Sequence, residues 1–216
     1  MKKNAVIFSR KLTRRDRPPW PIKIIGLTGS IGMGKSTAAM MIKTMGVPVF
    51  DADEAVHRLM APGGQAVKAI SRRFPEAVGP NGVDRQMLGD LVFGNFAALS
   101  DLENILHPLV RRIRKLFLRT HALRRTRYVA MDVPLLFETG EEKNCDAVVV
   151  VTAPLFLQHQ RVLSRTGMTK EKLTSILSRQ LPDCDKRRHA STLVYSGLGK
   201  RHTWVRLKHF LSRRAQ

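Results

Sequence analysis

The chain has 216 residues, of which 43% are hydrophobic, enough for the core of one α/β domain. Its 38 Lys and Arg against 17 Asp and Glu give a net charge of +21, which favours anionic partners such as ATP, phosphorylated metabolites or nucleic acid without choosing among them. No apolar run approaches the ~18 residues of a membrane span, and Cys145 and Cys184 form no metal-ligand spacing, so we expect a cytoplasmic protein with reduced thiols and no membrane partner.

Residues 1–21 are basic and end in Pro18-Pro19-Trp20-Pro21. A secretory signal would need a longer apolar segment than Ala5-Val6-Ile7-Phe8. The arginine-rich composition also fits an organellar transit peptide, although the usual serine enrichment is missing. We therefore expect a disordered basic leader over 1–21, followed by one folded domain over 22–216.

The stretch from Gly29 to Ser36 fits G-x-x-x-x-G-K-[ST], the pattern of a phosphate-binding P-loop. It follows the apolar run 22–27 and precedes a helix-like run, which is the strand–loop–helix context that the motif requires. Glycines let successive backbone N–H groups point at phosphate oxygens, and the helix N-terminus adds partial positive charge. We expect Lys35 to reach the outer phosphates of ATP and the hydroxyl of Ser36 to hold Mg²⁺. The predicted nucleotide-binding residues are Gly32, Met33, Gly34, Lys35, Ser36 and Thr37.

Two acids, Asp51 and Asp53, follow the second predicted strand, 47–50. The carboxyl end of a strand is where ligands bind in open α/β sheets. Asp53 also directly precedes a helical run that begins at Glu54, so it is equally well placed to be the N-cap of that helix.

Residues from 54 to about 122 have mostly helical patterns and little that resembles a strand. The pattern predicts breaks at Pro62-Gly63-Gly64, Phe74-Pro75, Gly79-Pro80-Asn81-Gly82 and His107-Pro108. Such a block is an insertion relative to a minimal βαβ repeat. We expect it to overhang the carboxyl edge of the sheet and to bind the acceptor substrate.

The third predicted strand, 128–132, ends in Asp132. Its position resembles that of a Walker B aspartate, which binds Mg²⁺ directly or through water, although a carboxylate at a strand end is also common without function. The apolar run 147–151 predicts a strand buried on both faces of a parallel sheet, and 193–195 predicts the fifth strand. An amphipathic helix over 203–211 closes the chain.

Helical patterns over 154–165 and up to about Gln180 predict a lid beyond the sheet. Arg161 and Arg165 lie four residues apart and so share one face of a helix. They can close over phosphates and neutralise charge that develops during transfer, or simply form a solvated basic face.

A P-loop by itself leaves several classes open: GTPases, motor ATPases, small-molecule kinases and nucleic-acid enzymes. The guanine-reading N-K-x-D motif is absent from the chain, which argues against an ordinary GTPase. The size favours a compact kinase with an acceptor-binding insertion and an arginine lid.

The assembled motifs resemble those of the dephospho-CoA kinase family over roughly residues 22–200. The segments that carry the resemblance are the P-loop at 26–37, Asp51-Ala52-Asp53, Ala61-Pro62-Gly63, Asn81-Gly82-Val83-Asp84-Arg85, His107-Pro108, Pro134-Leu135-Leu136-Phe137-Glu138, Gln158 to Arg165, and Gln180.

This resemblance implies a three-layer P-loop kinase with a parallel five-stranded sheet, a helical CoA-binding insertion at about 54–122 and a lid at about 155–188. It implies phosphorylation of the ribose 3′-hydroxyl of dephospho-CoA by ATP with Mg²⁺, the last step of coenzyme A biosynthesis. By the same resemblance Asp53 is the base for the acceptor hydroxyl, Arg161 is the lid arginine, and Lys35 completes the catalytic set.

The chain departs from the family pattern at three positions. Ser30 replaces a usual glycine, Ser191 follows Ala190 where the family usually has Asp, and Ser196 precedes Gly197 where the family usually has Asn. The last two bear on the arrangement of the last strand and of the nucleotide base.

Two alternatives stay open: another nucleoside or nucleotide kinase, and a nucleic-acid-binding ATPase. The second is motivated by the charge, but only two Trp and two Tyr are present, and no aromatic stacking motif interleaves with the basic runs. We therefore do not expect a nucleic-acid partner. The sequence does not fix the oligomeric state, and a monomer is one of the states left open.

Overall fold

The computed structural model describes residues 22–213. The predicted basic leader, 1–21, therefore lies outside the described residues. Contacts divide the chain into two compact units. We call the described residues up to Phe50, together with those from His121 onward, the core unit, and Asp51–Thr120 the insertion unit.

The described residues form seven strands and nine α-helices. In chain order these are β1 (Lys23–Thr28), α1 (Lys35–Thr44), β2 (Val49–Asp51), α2 (Ala52–Met60), α3 (Val67–Arg73), β3 (Val78–Gly79), β4 (Gly82–Val83), α4 (Arg85–Val92), α5 (Phe96–Leu123), β5 (Tyr128–Asp132), β6 (Ala147–Thr152), α6 (Leu155–Leu163), α7 (Lys170–Ser178), α8 (Asp183–Arg188), β7 (Thr192–Tyr195) and α9 (Lys200–Arg213).

Five strands form one sheet in the order β2-β5-β1-β6-β7. The pairs β1–β5, β1–β6 and β6–β7 are all parallel. β5 and β6 are buried at every position, because a parallel sheet is covered on both faces and its strands can be continuously apolar. The predicted α/β class with a parallel five-stranded sheet is confirmed.

Helices α1 and α9 contribute to the hydrophobic core of the sheet. Ala38 and Ile42 of α1 and Leu207 and Phe210 of α9 belong to one buried cluster with residues of β1, β5, β6 and β7. The closing helix therefore buries the apolar face expected from its sequence.

The insertion unit is mainly helical, with one short antiparallel hairpin formed by β3 and β4. The predicted break at His107-Pro108 is wrong, because α5 is a single helix of 28 residues with Pro108 inside it. A proline in a helix interior costs ~3 kcal/mol or more. Buried side chains on both sides of Pro108, such as Leu102, Leu106, Val110 and Leu118, offset that cost.

Between residues 22 and 213, no helix combines the length and the apolar character needed to cross a membrane. Neither Cys145 nor Cys184, both within the described residues, forms a disulfide.

Candidate active site

The P-loop occupies the turn between β1 and α1, and its backbone has the conformation that the glycines allow. Gly32 and Gly34 have φ of +77° and +89°, a region that L side chains rarely adopt. A Cβ on Gly29 would lie 2.5 Å from the carbonyl oxygen of Val151, so the loop also packs directly on β6. Ser30 is buried and its carbonyl accepts a hydrogen bond from Met33 N at 3.1 Å, so the departure from glycine is accommodated.

Lys35 begins α1 and forms an ion pair with Asp132, with 2.5 Å between Nζ and Oδ1. The register of the sheet explains this contact: Asp132 is paired with Leu27, two residues before the loop. Only 3% of the Asp132 side chain is exposed, against 17% for Lys35. The structure therefore brings together Lys35, the predicted contact to the outer phosphates, and Asp132, the predicted Mg²⁺ ligand.

Two glutamine side chains hold the first part of the loop. Gln158 of α6 is buried and donates from Nε2 to the carbonyl oxygen of Ile31 at 2.8 Å. The N–H of Ile31 donates to Oε1 of Gln180 at 3.1 Å. A Cβ on Gly32 would lie 2.6 Å from Cγ2 of Val162, so α6 packs against the loop with no space for a side chain there.

Arg161 also lies against the P-loop. Its Nη1 donates to the carbonyl oxygen of Gly32 at 3.4 Å and to Oγ of Ser196 at 2.9 Å. Arg165 is exposed and lies beyond α6, which ends at Leu163, so the prediction that Arg161 and Arg165 share one helix face is wrong. A solvated side chain is the wrong interpretation for Arg161, although it describes Arg165.

Asp53 lies in the first turn of α2 and is exposed, but it is not the N-cap. The helix starts two residues earlier than its sequence pattern predicts, and the cap is Asp51, whose Oδ1 accepts a hydrogen bond from Glu54 N at 3.0 Å. The alternative in which Asp53 is the N-cap is therefore wrong. Of the two aspartates, Asp51 has the extended backbone of a cap, whereas Asp53 lies inside the helix. Its role as a base stays a prediction.

The residues predicted to hold Mg²⁺ offer suitable ligand atoms. Ser36 is exposed in the first turn of α1, and Asp132 supplies a carboxylate beside Lys35. Mg²⁺ prefers oxygen ligands and is commonly held by one or two carboxylates together with substrate phosphates and water. Residues 22–213 contain no group of three or more His, Cys, Asp or Glu that could hold a metal ion.

A group of buried polar contacts holds the segment after α7, and the sequence did not predict it. Lys186 of α8 is fully buried, and its Nζ lies 2.9 Å from Oε1 of Glu138. The same carboxylate oxygen accepts a hydrogen bond from Leu181 N at 2.7 Å. Oγ1 of Thr152 donates to Oδ2 of Asp183 at 2.8 Å. The segment between α7 and β7 is thus attached to β6 and to the segment after β5, and only Glu138 and Gln180 carried any signal in the sequence.

Two side chains on α5 in the insertion unit have shifted pKa values. Burial raises the pKa of Glu103, whose side chain is 8% exposed. Burial also lowers the pKa of His107, and the positive charge of Arg111 lowers it further. Both shifts favour the neutral form of the side chain.

Comparisons with known proteins identify the family of this chain. A family model described as dephospho-CoA kinase matches residues 23–198. The chain is 57% identical over 166 residues to a dephospho-CoA kinase of Paramagnetospirillum magneticum, covering 77% of this chain and 78% of the relative. It is 56% identical over 180 residues to that of Rhodospirillum rubrum, covering 82% and 85%.

Solved structures give the same result for the fold. The crystal structure of TT1252 from Thermus thermophilus has a TM-score of 0.75 and 35% identity, covering 89% of this chain and 97% of that one. Dephospho-CoA kinase from Campylobacter jejuni has a TM-score of 0.63 at 20% identity, covering 88% and 96%. Because the family model spans most of the chain and a curated member is 57% identical to it, the chain belongs to the dephospho-CoA kinase family.

Proposed function

We propose that this protein transfers the γ-phosphoryl group of ATP to the ribose 3′-hydroxyl of dephospho-CoA, giving coenzyme A. The observation that carries the proposal is the meeting of three phosphate-directed features in the core unit. These are the left-handed turns at Gly32 and Gly34, the ammonium of Lys35 beside Asp132, and the guanidinium of Arg161 on the carbonyl of Gly32. The alternatives with another acceptor or with nucleic acid gain no support from any described contact.

In this mechanism the P-loop N–H groups and the N-terminus of α1 hold the phosphates of ATP. Lys35 contacts the outer phosphates, and Arg161 neutralises charge that develops on the transferred group. Ser36 and Asp132 would hold Mg²⁺, which neutralises phosphate charge when it is bound. The ammonium of Lys35 contacts the carboxylate of Asp132. When the nucleotide binds, phosphate oxygens replace this carboxylate as one partner of the ammonium.

Asp53 is proposed to orient the acceptor hydroxyl and accept its proton. A ribose hydroxyl is a weak nucleophile at neutral pH, and phosphoryl transfer has a loose transition state, so positioning contributes alongside proton removal. The side chain is exposed at the start of α2, and Asp51 supplies the cap, so Asp53 is available for this role.

We further propose a cytoplasmic location, which Cys145 and Cys184 support because neither forms a disulfide and reduced thiols are typical of reducing compartments. The insertion unit is the proposed binding site for the acceptor.

The direct test is turnover of purified protein with ATP and dephospho-CoA in the presence of Mg²⁺, with the product identified by mass spectrometry. A mass gain of one phosphoryl group on dephospho-CoA is expected. Parallel reactions with nucleosides and nucleotides as acceptors test the nearest alternative. Faster phosphorylation of one of those acceptors would contradict the proposed substrate.

The role of Asp53 is tested by comparing Asp53→Asn with Asp51→Asn. Asparagine caps a helix about as well as aspartate, so Asp51→Asn is expected to change little. Asp53→Asn is expected to lower kcat by about 10²–10⁴-fold, the usual scale for removal of a general base. Steady-state kinetics with circular dichroism as a folding control decide between them. The reverse pattern would move the base to Asp51.

A further inference from the structure

The hydroxyl of Ser196, directly after β7, joins the P-loop to Arg161. Its Oγ donates a hydrogen bond to the carbonyl oxygen of Met33 at 2.7 Å and accepts one from Nη1 of Arg161 at 2.9 Å. Nη2 of Arg161 also donates to the carbonyl oxygen of Ser196 at 3.3 Å. A Cβ on Gly34 would lie 3.0 Å from this Oγ, so the hydroxyl touches the loop directly.

The backbone around Ser196 is held on two sides, which fixes where its short side chain can reach. Tyr195, the preceding residue, is paired with Thr152 at the end of β6. A Cβ on Gly197 would lie 2.9 Å from Cδ of Pro154 and 3.2 Å from Cδ1 of Leu157, so the following residue packs against the start of α6. The hydroxyl position is therefore set by the fold.

The bond to Met33 has a geometric consequence for the next peptide group. In a planar trans peptide the C=O and the following N–H point in opposite directions. When Ser196 holds the carbonyl of Met33 on its own side, the N–H of Gly34 points away from Ser196. In a P-loop that N–H is one of the groups that hold phosphate.

We propose that Ser196 is a positioning residue of the nucleotide site. It fixes the Met33–Gly34 peptide so that the N–H of Gly34 faces the phosphates, and it holds Arg161 against the same loop. This role depends on the proposed function in one respect, which is that the P-loop binds a nucleotide. It gives a role to one of the two serines near the C-terminus at which this chain departs from the family pattern.

The other of these serines provides a matched control. Ser191 directly precedes β7, and its Oγ accepts a hydrogen bond from Val148 N at 3.0 Å. Ser191→Ala therefore removes a hydroxyl–backbone bond from the opposite end of the same strand. Only Ser196 contacts the P-loop, so a general loss of stability would affect both variants, whereas a loss of phosphate binding would affect only Ser196→Ala.

The experiment measures the dissociation constant of ADP with Mg²⁺ by calorimetry, and the inhibition constant of inorganic tripolyphosphate in the kinase assay. Ser196→Ala is expected to raise both about five- to tenfold, the scale of one lost hydrogen bond to an ordered site. Ser191→Ala is expected to leave both within about twofold of the parent value. Ser196→Thr keeps the hydroxyl and is expected to restore most of the binding.

Three results would overturn the proposal. The first is unchanged ADP binding in Ser196→Ala. The second is an equal loss in Ser191→Ala. The third is weaker ADP binding with unchanged tripolyphosphate inhibition, which would place Ser196 at the nucleotide base. If the parent protein binds ADP but does not phosphorylate dephospho-CoA, the proposed function fails, whereas calorimetry with ADP still decides the role of Ser196.

Discussion

The core unit and the insertion unit use their polar side chains differently. In the core unit, polar contacts join residues far apart in sequence: Met33 and Ser196 are separated by 163 positions and Lys35 and Asp132 by 97. In the insertion unit, by contrast, the side chains of Asp51 and Asp84 cap the helices that directly follow them in sequence. The phosphate site is thus pre-organised by tertiary structure, whereas Asp53 is positioned by one short local motif.

This difference predicts where substitutions act. A change at a core contact alters the shape of the phosphate site and the stability of the fold together, because the same bonds serve both. A change at an exposed residue of the insertion unit, such as Asp53, can alter chemistry with little effect on stability.

Lys35→Ala tests a long-range polar contact of the core unit, and it has the largest expected effect. It should lower kcat by on the order of a hundredfold or more, because a positioned cation at developing charge is lost. It should also lower the free energy of unfolding by ~1–3 kcal/mol, since the carboxylate of Asp132 stays buried without the ammonium. Steady-state kinetics and urea denaturation measure the two effects.

Two further variants separate these effects. Lys43→Ala removes an exposed lysine from the same helix and should leave both quantities nearly unchanged. The double variant Lys35→Ala/Asp132→Asn should recover part of the stability but none of the turnover. Near-parental turnover of Lys35→Ala at saturating ATP would contradict the P-loop assignment.

Lys186→Ala is expected to have the next largest effect, and it acts on stability. Removing one partner of a buried ion pair typically costs ~3–5 kcal/mol because the other charge is left without compensation. Without Lys186, the hydrogen bond from Leu181 N is the described contact that remains at Oε1 of Glu138. Chemical denaturation of the variant measures the loss.

The control for this prediction is Lys172→Ala, which removes an exposed lysine from α7 and should cost little. The double variant Lys186→Met/Glu138→Gln replaces the pair by groups of similar size and should be more stable than Lys186→Ala. If Lys186→Ala and Lys172→Ala melt at the same temperature, the buried pair does not anchor this segment.

Local patterns were sufficient for much of the fold and for the P-loop. The motif at Gly29–Ser36 specifies a strand, a turn and a helix over adjacent residues, and the continuous apolar run of β6 requires burial on both faces. Those predictions are confirmed because each depends on neighbours in sequence.

Other features depend on competition or on distant contacts, which a single sequence does not display. The choice between Asp51 and Asp53 as the cap depends on where β2 ends. The passage of α5 through Pro108 depends on burial on both sides of it. The contacts of Ser196 and Lys186 depend on which strand ends meet at one edge of the sheet.

Glu103→Gln tests the insertion unit with the smallest expected effect. Because burial raises the pKa of Glu103 in the folded protein, its ionised form destabilises the fold above that raised pKa. The amide removes this charge, so the variant should melt above the parent at pH 8. Thermal melting curves of the two proteins measure the difference.

The sign of the pH dependence makes the prediction specific. As pH falls through the raised pKa, Glu103 becomes protonated in the folded protein, and the advantage of the glutamine variant should shrink until it vanishes below the ordinary value of 4.5. His107 has the opposite effect, because its lowered pKa makes the fold lose stability as pH falls, but it is present in both proteins and cancels in the difference. Glu76→Gln, at an exposed position of the same unit, should show no such pH-dependent difference. If the stability gained by Glu103→Gln is constant from pH 4 to pH 8, the amide acts through packing. The ionised form of Glu103 then does not destabilise the insertion unit.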